Sequence, residues 1–254
     1  MQRHSLYKLK AGTGRADITP PLGARLYGYP IKDRIAESIH DPLYSTALAL
    51  EYKGVISVIV SLDITVIDDE EVSCIRSMIN KKTGIAAESI TLCAIQTHSG
   101  PSVQTCFGWG DKDINYCTSI LRPRVLDSVV NALSNLQPVR VGFGTVNSQA
   151  GINRREIRRD NTIGLGVNPW GPYDPIMTVV SFRNDNAPVA NIVHYGAHPT
   201  TMGKGKEVSR DWPGVLIDKM EKITGAITLF INGAVGDVGP RMSLNKTVGD
   251  GPHS

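Results

Sequence analysis

A chain of 254 residues with 41% hydrophobic content is long enough to bury a sizeable core, as one large α/β domain or two small ones. Its 27 basic and 24 acidic residues leave a formal net charge of +3, and the basic ones are scattered apart from "NRREIRR" at 153–159, so nothing in the charge pattern calls for nucleic acid. No window approaches the roughly 18 uninterrupted apolar residues of a membrane span, and "MQRHSLYKLKAGTG" lacks a signal-peptide core, which predicts no transmembrane segment and a soluble, cytoplasmic chain.

In chain order, "STALALEY" (45–52) and "VISVIVSLD" (55–63) read as strands joined by a hairpin turn at Lys53-Gly54. "DDEEVSCIRSMINKKTG" (68–84) spaces Val72, Ile75, Met78 and Ile79 as one helical face, with acidic residues in the first turn and Gly84 as a stop. "SITLCAI" (89–95) is a further strand, and 114–136 reads as a helix in which Pro123 marks a kink or break. After the strand "VRVGFGTV" (139–146), residues 153–175 read as a loop. Three strands follow, at 176–182, 189–196 and 226–233, with a helix at 212–225 that carries Pro213 in its first turn. Strands and helices mixed with at least one hairpin predict an α/β fold, with mixed β-sheet layers flanked by helices. The four cysteines, Cys74, Cys93, Cys106 and Cys117, form no C-x-x-C pair, and reduced thiols are expected.

The polar residues of interest share a position: each follows a strand. Asp63 follows "VISVIVSL", Gln96 and His98 follow "SITLCAI", His198 follows "NIVHYGA", and Asp237 follows "TLFINGAVG". Strand ends in α/β folds are where ligands gather, because a rigid sheet there carries adaptable loops. An isolated Asp or His at such an end also serves simply as a turn residue.

The strings "GRADITPPLGARLYGYP", "HDPLYSTALAL", "QTHSGPS" (96–102), "INRRE" (152–156), "VHYGAHPTTMG" (194–203), "SRDWPG" (209–214) and "FINGAVGDVGP" (230–240), in this order, resemble the N-terminal catalytic domain of the neutral/alkaline, non-lysosomal ceramidases. The resemblance implies a zinc-dependent amide hydrolase that releases a fatty acid or other acyl group from a small-molecule or lipid-like N-acyl amide. It implies one zinc per complete domain, an active site at strand ends, and 1–254 as a single domain lacking its C-terminal part. Zinc would lower the pKa of a bound water to about 7 and polarise the carbonyl. By the same resemblance His198 is a metal ligand, His98 lies beside the metal against substrate, and Arg154 is directed at the substrate, where a guanidinium suits an oxyanion.

Three departures accompany it. Gln96 stands where the family has its first histidine ligand, and an amide oxygen is a poorer zinc ligand. Gly239 stands in "GDVGP" where ceramidases carry a serine. The family's Glu and Tyr ligands lie beyond that segment, and the residues after Pro240 contain no Tyr and, as acid, only Asp250. The alternative is therefore a catalytically degenerate or fragmentary relative that keeps the fold and a ligand-binding cleft.

Other candidates keep two readings. Asp63 is a metal ligand, or an orienter of one, or a turn residue. Asp211 is the N-cap of the 212–225 helix, in a loop that the resemblance sets beside the site. Gly236 and Gly239, flanking Asp237, form an anion-binding nest or a tight turn. His194 is a ligand or a core histidine. The arginines after Arg154 are a solvated face or a contact for an anionic head group, and Trp109 and Trp170 line an apolar entrance. The sequence leaves the oligomeric state open.

Overall fold

In a computed structural model of the chain, residues 9–31 and 33–243 are described; the tail 244–254, with Asp250, lies outside them. Fifteen strands and four α-helices occur among the described residues. The larger sheet contains β1 (Lys10–Asp17), β3 (Tyr44–Tyr52), β4 (Val55–Leu62), β5 (Ile90–Ala94) and β6 (Gln137–Pro138), in the order β5-β4-β3-β1-β6, with β2 (Ser38–Ile39) outside it. The second sheet contains β7 (Arg140–Asn147), β11 (Ile176–Arg183), β12 (Pro188–Tyr195) and β14 (Ile227–Asn232), in the order β14-β12-β11-β7. Three small pairings complete the framework. β8 (Gly151–Asn153) pairs with β15 (Val238–Pro240), β9 (Arg155–Ile157) with β10 (Ile163–Leu165), and β13 (Glu207–Val208) with β2.

Both large sheets are mixed: β4 runs parallel to β5 and β12 parallel to β14, the other long pairings being antiparallel. Side-chain alternation divides each strand between two cores. Ala47, Ala49, Val58 and Val60 face a helical layer made of α1 (Asp69–Thr83), α2 (Ile114–Tyr116) and α3 (Arg122–Ser134). Leu48 and Ile59, on the opposite face, meet Phe182, Ala190 and Leu229 of the second sheet. Val193, Tyr195 and Phe230 on that sheet's outer face pack on Ile217 and Trp212 of α4 (Asp211–Thr224). The result is helices, sheet, sheet and helix in successive layers, as the mixed α/β pattern predicts.

Local signals explain most elements. Lys53 and Gly54 both adopt positive φ (53° and 81°), the left-handed pair that a two-residue hairpin turn needs. Asp68 caps α1 by accepting from Glu71 N, and Gly84 closes it at φ 75°. Before Pro123 the helix does not break. It widens into a π-type turn over Cys117–Leu121, where Arg122 N reaches Cys117 O, because a proline at 123 cannot donate. The 153–175 loop is corrected by the structure, which folds β9 and β10 from it as a hairpin. The four cysteines are free. Among the described residues no helix is long and apolar enough to cross a membrane.

Candidate functional site

Two strand pairings and two loops bring the site together. β8 and β15 pair antiparallel with Asn153 opposite Val238. Arg154, just after β8, therefore lies beside Gly236 and Asp237, just before β15, and Arg154 N donates to Asp237 O at 2.7 Å. β12 ends at Tyr195, and Gly196 passes so near the next loop that a Cβ there would sit 2.8 Å from Ala234 O. His198 follows, held by its own N–H on Val238 O at 3.0 Å. The loop after β5 joins it where His98 N donates to Pro199 O at 3.2 Å. The two imidazoles then lie edge to face, with ring centroids 5.4 Å apart.

The hydrogen bonds fix the imidazole chemistry. His198 donates from Nδ1 to Val235 O, which leaves Nε2 as the bare acceptor nitrogen. Arg154 occupies that nitrogen: its Nη2 lies 3.1 Å from His198 Nε2 while also donating to Gly236 O at 3.1 Å. Burial and the Arg154 charge push the His198 pKa down to about 4. Burial, the neighbouring His198 and Arg154 push His98 down to about 3, against a hydrogen bond to the Gly28 backbone. Both rings are neutral near pH 7. Arg154 is itself lowered to about 10, by burial and by Arg155.

Four buried polar atoms here have no hydrogen-bond partner: Tyr29 Oη, Gln96 Oε1, His98 Nδ1 and Asn232 Oδ1. Buried polar atoms are ordinarily paired, so this concentration marks a place prepared for a ligand. Gln96 is also held at φ 70°, a left-handed conformation that side chains other than Asn, Asp and His adopt at a cost. Asn232 is tethered through Nδ2 to Ile95 O at 2.8 Å. Tyr29 packs edge-on against His98 at 5.1 Å, and burial raises its hydroxyl to about 12.

Behind this cluster Arg34 is 1% exposed and faces no carboxylate among its hydrogen-bond partners. It donates to Gly205 O at 2.7 Å, Tyr27 O at 3.0 Å, His98 O and Ser99 Oγ, and stacks on Tyr29. It thereby ties the Tyr29, His98 and 203–205 loops together. Tyr29, Arg34 and Asn232 were missed by sequence reasoning. "LYGYP" and "FING" were legible as strings, but nothing local distinguishes these residues from loop polars.

The remaining candidates fall differently. Asp63 Oδ2 accepts from Tyr44 N at 2.8 Å, and its charged neighbours are Arg210, Arg15 and Asp41 rather than the histidines. It closes the β3–β4 pair as a strand-end residue. Asp211 is not an ordinary N-cap. It has φ 59°, and its carboxylate accepts from Thr201 N, Met202 N and Trp212 N, so it pins the loop after His198 instead of the second turn of α4. Trp212 completes that link through Nε1 to His198 O at 3.1 Å. Asp237 accepts from Asn153 Nδ2 at 3.3 Å, and Gly236 supplies the carbonyl that holds both Arg154 and Arg155. Gly239 is a strand residue opposite Ile152 rather than part of a nest. His194 lies within β12, its ring against Gly233. Trp109 stacks on Tyr27, 5.5 Å between centroids. An apolar cavity of about 650 Å³ adjoins the His198 loop at Thr201, Met202, Asp211 and Trp212 and runs along α4 to Ile223.

A zinc ion would find part of a coordination set. His198 Nε2 has the right tautomer, fixed by its second nitrogen as metal-bound histidines usually are, and His98 Nδ1 and Gln96 Oε1 are unpartnered. Among the described residues, however, no group of three or more His, Cys, Asp or Glu side chains could hold a metal.

The fold and site thus define a two-sheet α/β protein with a neutral His–His pair and an arginine at its strand ends. The same fold occurs in the crystal structure of neutral ceramidase from Pseudomonas aeruginosa, with a TM-score of 0.79 and 23% identity over 94% of this chain and 40% of that one. It occurs again in a ceramidase complexed with C2, with a TM-score of 0.79 and 22% identity over 93% of this chain and 39% of that one. The chain spans about two-fifths of the length of these structures. No protein-family model and no curated protein matches the sequence.

Proposed function

We propose that this chain carries one part of a metal-dependent amide hydrolase of ceramidase type, acting on a lipid-like N-acyl amide. The observation that carries the proposal is the neutral His98–His198 pair with Arg154 on His198 Nε2, in a fold shared with neutral ceramidases. Zinc, one per complete domain, is the metal favoured by the imidazole ligands; His198 would hold it with Gln96 beside it, and it would supply carbonyl polarisation and an acidified water. Its remaining ligands are not among the described residues.

The chain's own groups divide the remaining work. Arg154 would give up His198 Nε2 and turn its guanidinium to the oxygen that gains charge as the amide carbon becomes tetrahedral. His98, with Nδ1 bare, would accept a hydrogen bond from the substrate. Gly239 offers no hydroxyl, so water rather than a serine would attack. The apolar cavity beside the His198 loop favours an acyl chain over a small polar amide.

The test is acyl release from an N-acyl sphingoid amide, followed by mass spectrometry with and without added zinc, for the wild type and for His98→Ala. Zinc-stimulated release that the substitution abolishes is expected; release that neither zinc nor His98→Ala alters would refute the reading. A second reading, a relative that binds without hydrolysing, is favoured by Gln96 and by the guanidinium seated on the metal-facing nitrogen. It would be supported by retained ligand binding with no turnover at any zinc concentration.

A further inference from the structure

The β9–β10 hairpin grows outward from the site: β9 begins one residue after Arg154. Ile157 pairs directly with Ile163, and Arg155 with Leu165, so these four side chains share one face. Nothing in the fold covers that face. Ile157 is 67% exposed, Ile163 68% and Leu165 54%. Glu156 and Arg158 lie on the other face, against Gly166 and Gly164. The turn is closed by Arg158 N on Thr162 O at 2.9 Å and carries Arg158 and Arg159 at its tip. Asn168 binds Arg155 O at 3.0 Å and Asn153 O at 2.9 Å, which fastens the next turn to the hairpin's base and sets Trp170, 93% exposed, beside it.

An uncovered aliphatic face, a flanking tryptophan and a basic tip are what a peripheral element presents to a bilayer whose surface is anionic. The apolar side chains enter the head-group boundary while arginines pair with lipid phosphates. Four arginines against Glu156 and Asp160 leave residues 154–160 with a charge of +2, and Asp160 is occupied by Thr162. That excess is why an anionic surface, rather than a second copy of the same basic hairpin, is the occupant favoured here.

We propose that the β9–β10 hairpin, with Trp170, docks the protein on anionic lipid surfaces, using Ile157, Ile163 and Leu165 as the inserted face and Arg158 and Arg159 as the charged contacts. Docking stands on the hairpin alone. Its use, to bring Arg154 and the histidines to a lipid amide lying in the surface, rests on the amidase reading.

The experiment is cosedimentation with vesicles of phosphatidylcholine, with and without phosphatidylglycerol. Binding is expected only with phosphatidylglycerol, and it should weaken as salt is raised. Arg158→Gln with Arg159→Gln should weaken it on the order of tenfold or more, each arginine near an anionic surface being worth about fivefold. Ile157→Ser with Ile163→Ser should abolish it without moving the thermal midpoint, because both side chains are already solvated. Equal binding to both vesicles, or binding indifferent to either pair of substitutions, would overturn the proposal. So would a concentration-dependent dimer that Ile157→Ser with Ile163→Ser dissolves, which would assign the face to a second copy. Hydrolysis of a water-soluble short-chain N-acyl amide separates the two ideas: vesicle binding without it sinks the amidase reading and leaves docking intact, and hydrolysis without vesicle binding does the reverse.

Discussion

Arg154 Nη2 lies 3.1 Å from His198 Nε2 and covers the one imidazole nitrogen that the Val235 carbonyl leaves free. The guanidinium stands where a cation bound by His198 would stand, so arginine and metal compete for one lone pair. Arg154→Ala should therefore raise zinc affinity, measured by calorimetry, while lowering any amide turnover by about a hundredfold, the usual cost of deleting an oxyanion donor. Unchanged zinc affinity would show that the contact does not guard the nitrogen.

Gln96 presents a bare Oε1 from a backbone held at φ 70°. Histidine is among the side chains that visit this conformation more readily, so Gln96→His should fold with a stability change within about 1 kcal/mol. It adds a second strong nitrogen ligand beside His198, and zinc retained through gel filtration should rise. If zinc retention stays the same, residue 96 does not face the metal.

Arg34 is satisfied by three backbone carbonyls and Ser99 Oγ, all in loops that carry the site. Arg34→Met would leave those carbonyls buried and unpaired, at a cost of about 3 kcal/mol or more. The thermal midpoint should fall by roughly 10 °C in a chain of this size. A fall of only a degree or two would mean that water replaces the guanidinium.

Burial pushes the Asp63 carboxyl up to about 7, with the Arg210 charge acting against it. A carboxyl whose folded pKa exceeds its unfolded value is bound to more protons in the native state, so its contribution to stability falls as pH rises between about 4 and 7 and levels off above. Asp63→Asn keeps an oxygen for Tyr44 N and removes the titration. Denaturant midpoints should show the variant gaining on the wild type from pH 4 to pH 7 and no further gain at pH 8; a constant difference would place the carboxylate in a solvated setting.

Legibility in the sequence followed the range of the interaction. The Lys53-Gly54 turn, the caps Asp68 and Gly84, and the strands flanking them were readable because each signal lies within a few residues of its effect. The 153–175 segment was not, since three-residue strands such as Arg155–Ile157 carry too little alternation to stand out among loop residues. Asp211 was read as a cap because Asp before a helix usually is one; the loop at Thr201–Met202 that captures its carboxylate is ten residues away.

The site divides along the same line. From the sequence alone came the residue types, the strand-end positions of Gln96, His98 and His198, and the neutral charge balance that sets nucleic acid aside. Only the tertiary structure decided that β8 pairs with β15, and so that Arg154 meets His198 across 44 residues. It alone brought Tyr29 and Arg34 from the N-terminal loops against His98. The physical reason is that side-chain alternation tells which face of a strand is buried but not which strand it will hydrogen-bond to. Partner choice is settled by the packing of whole layers, and the polar atoms left unpaired by that packing are the ones that mark the site.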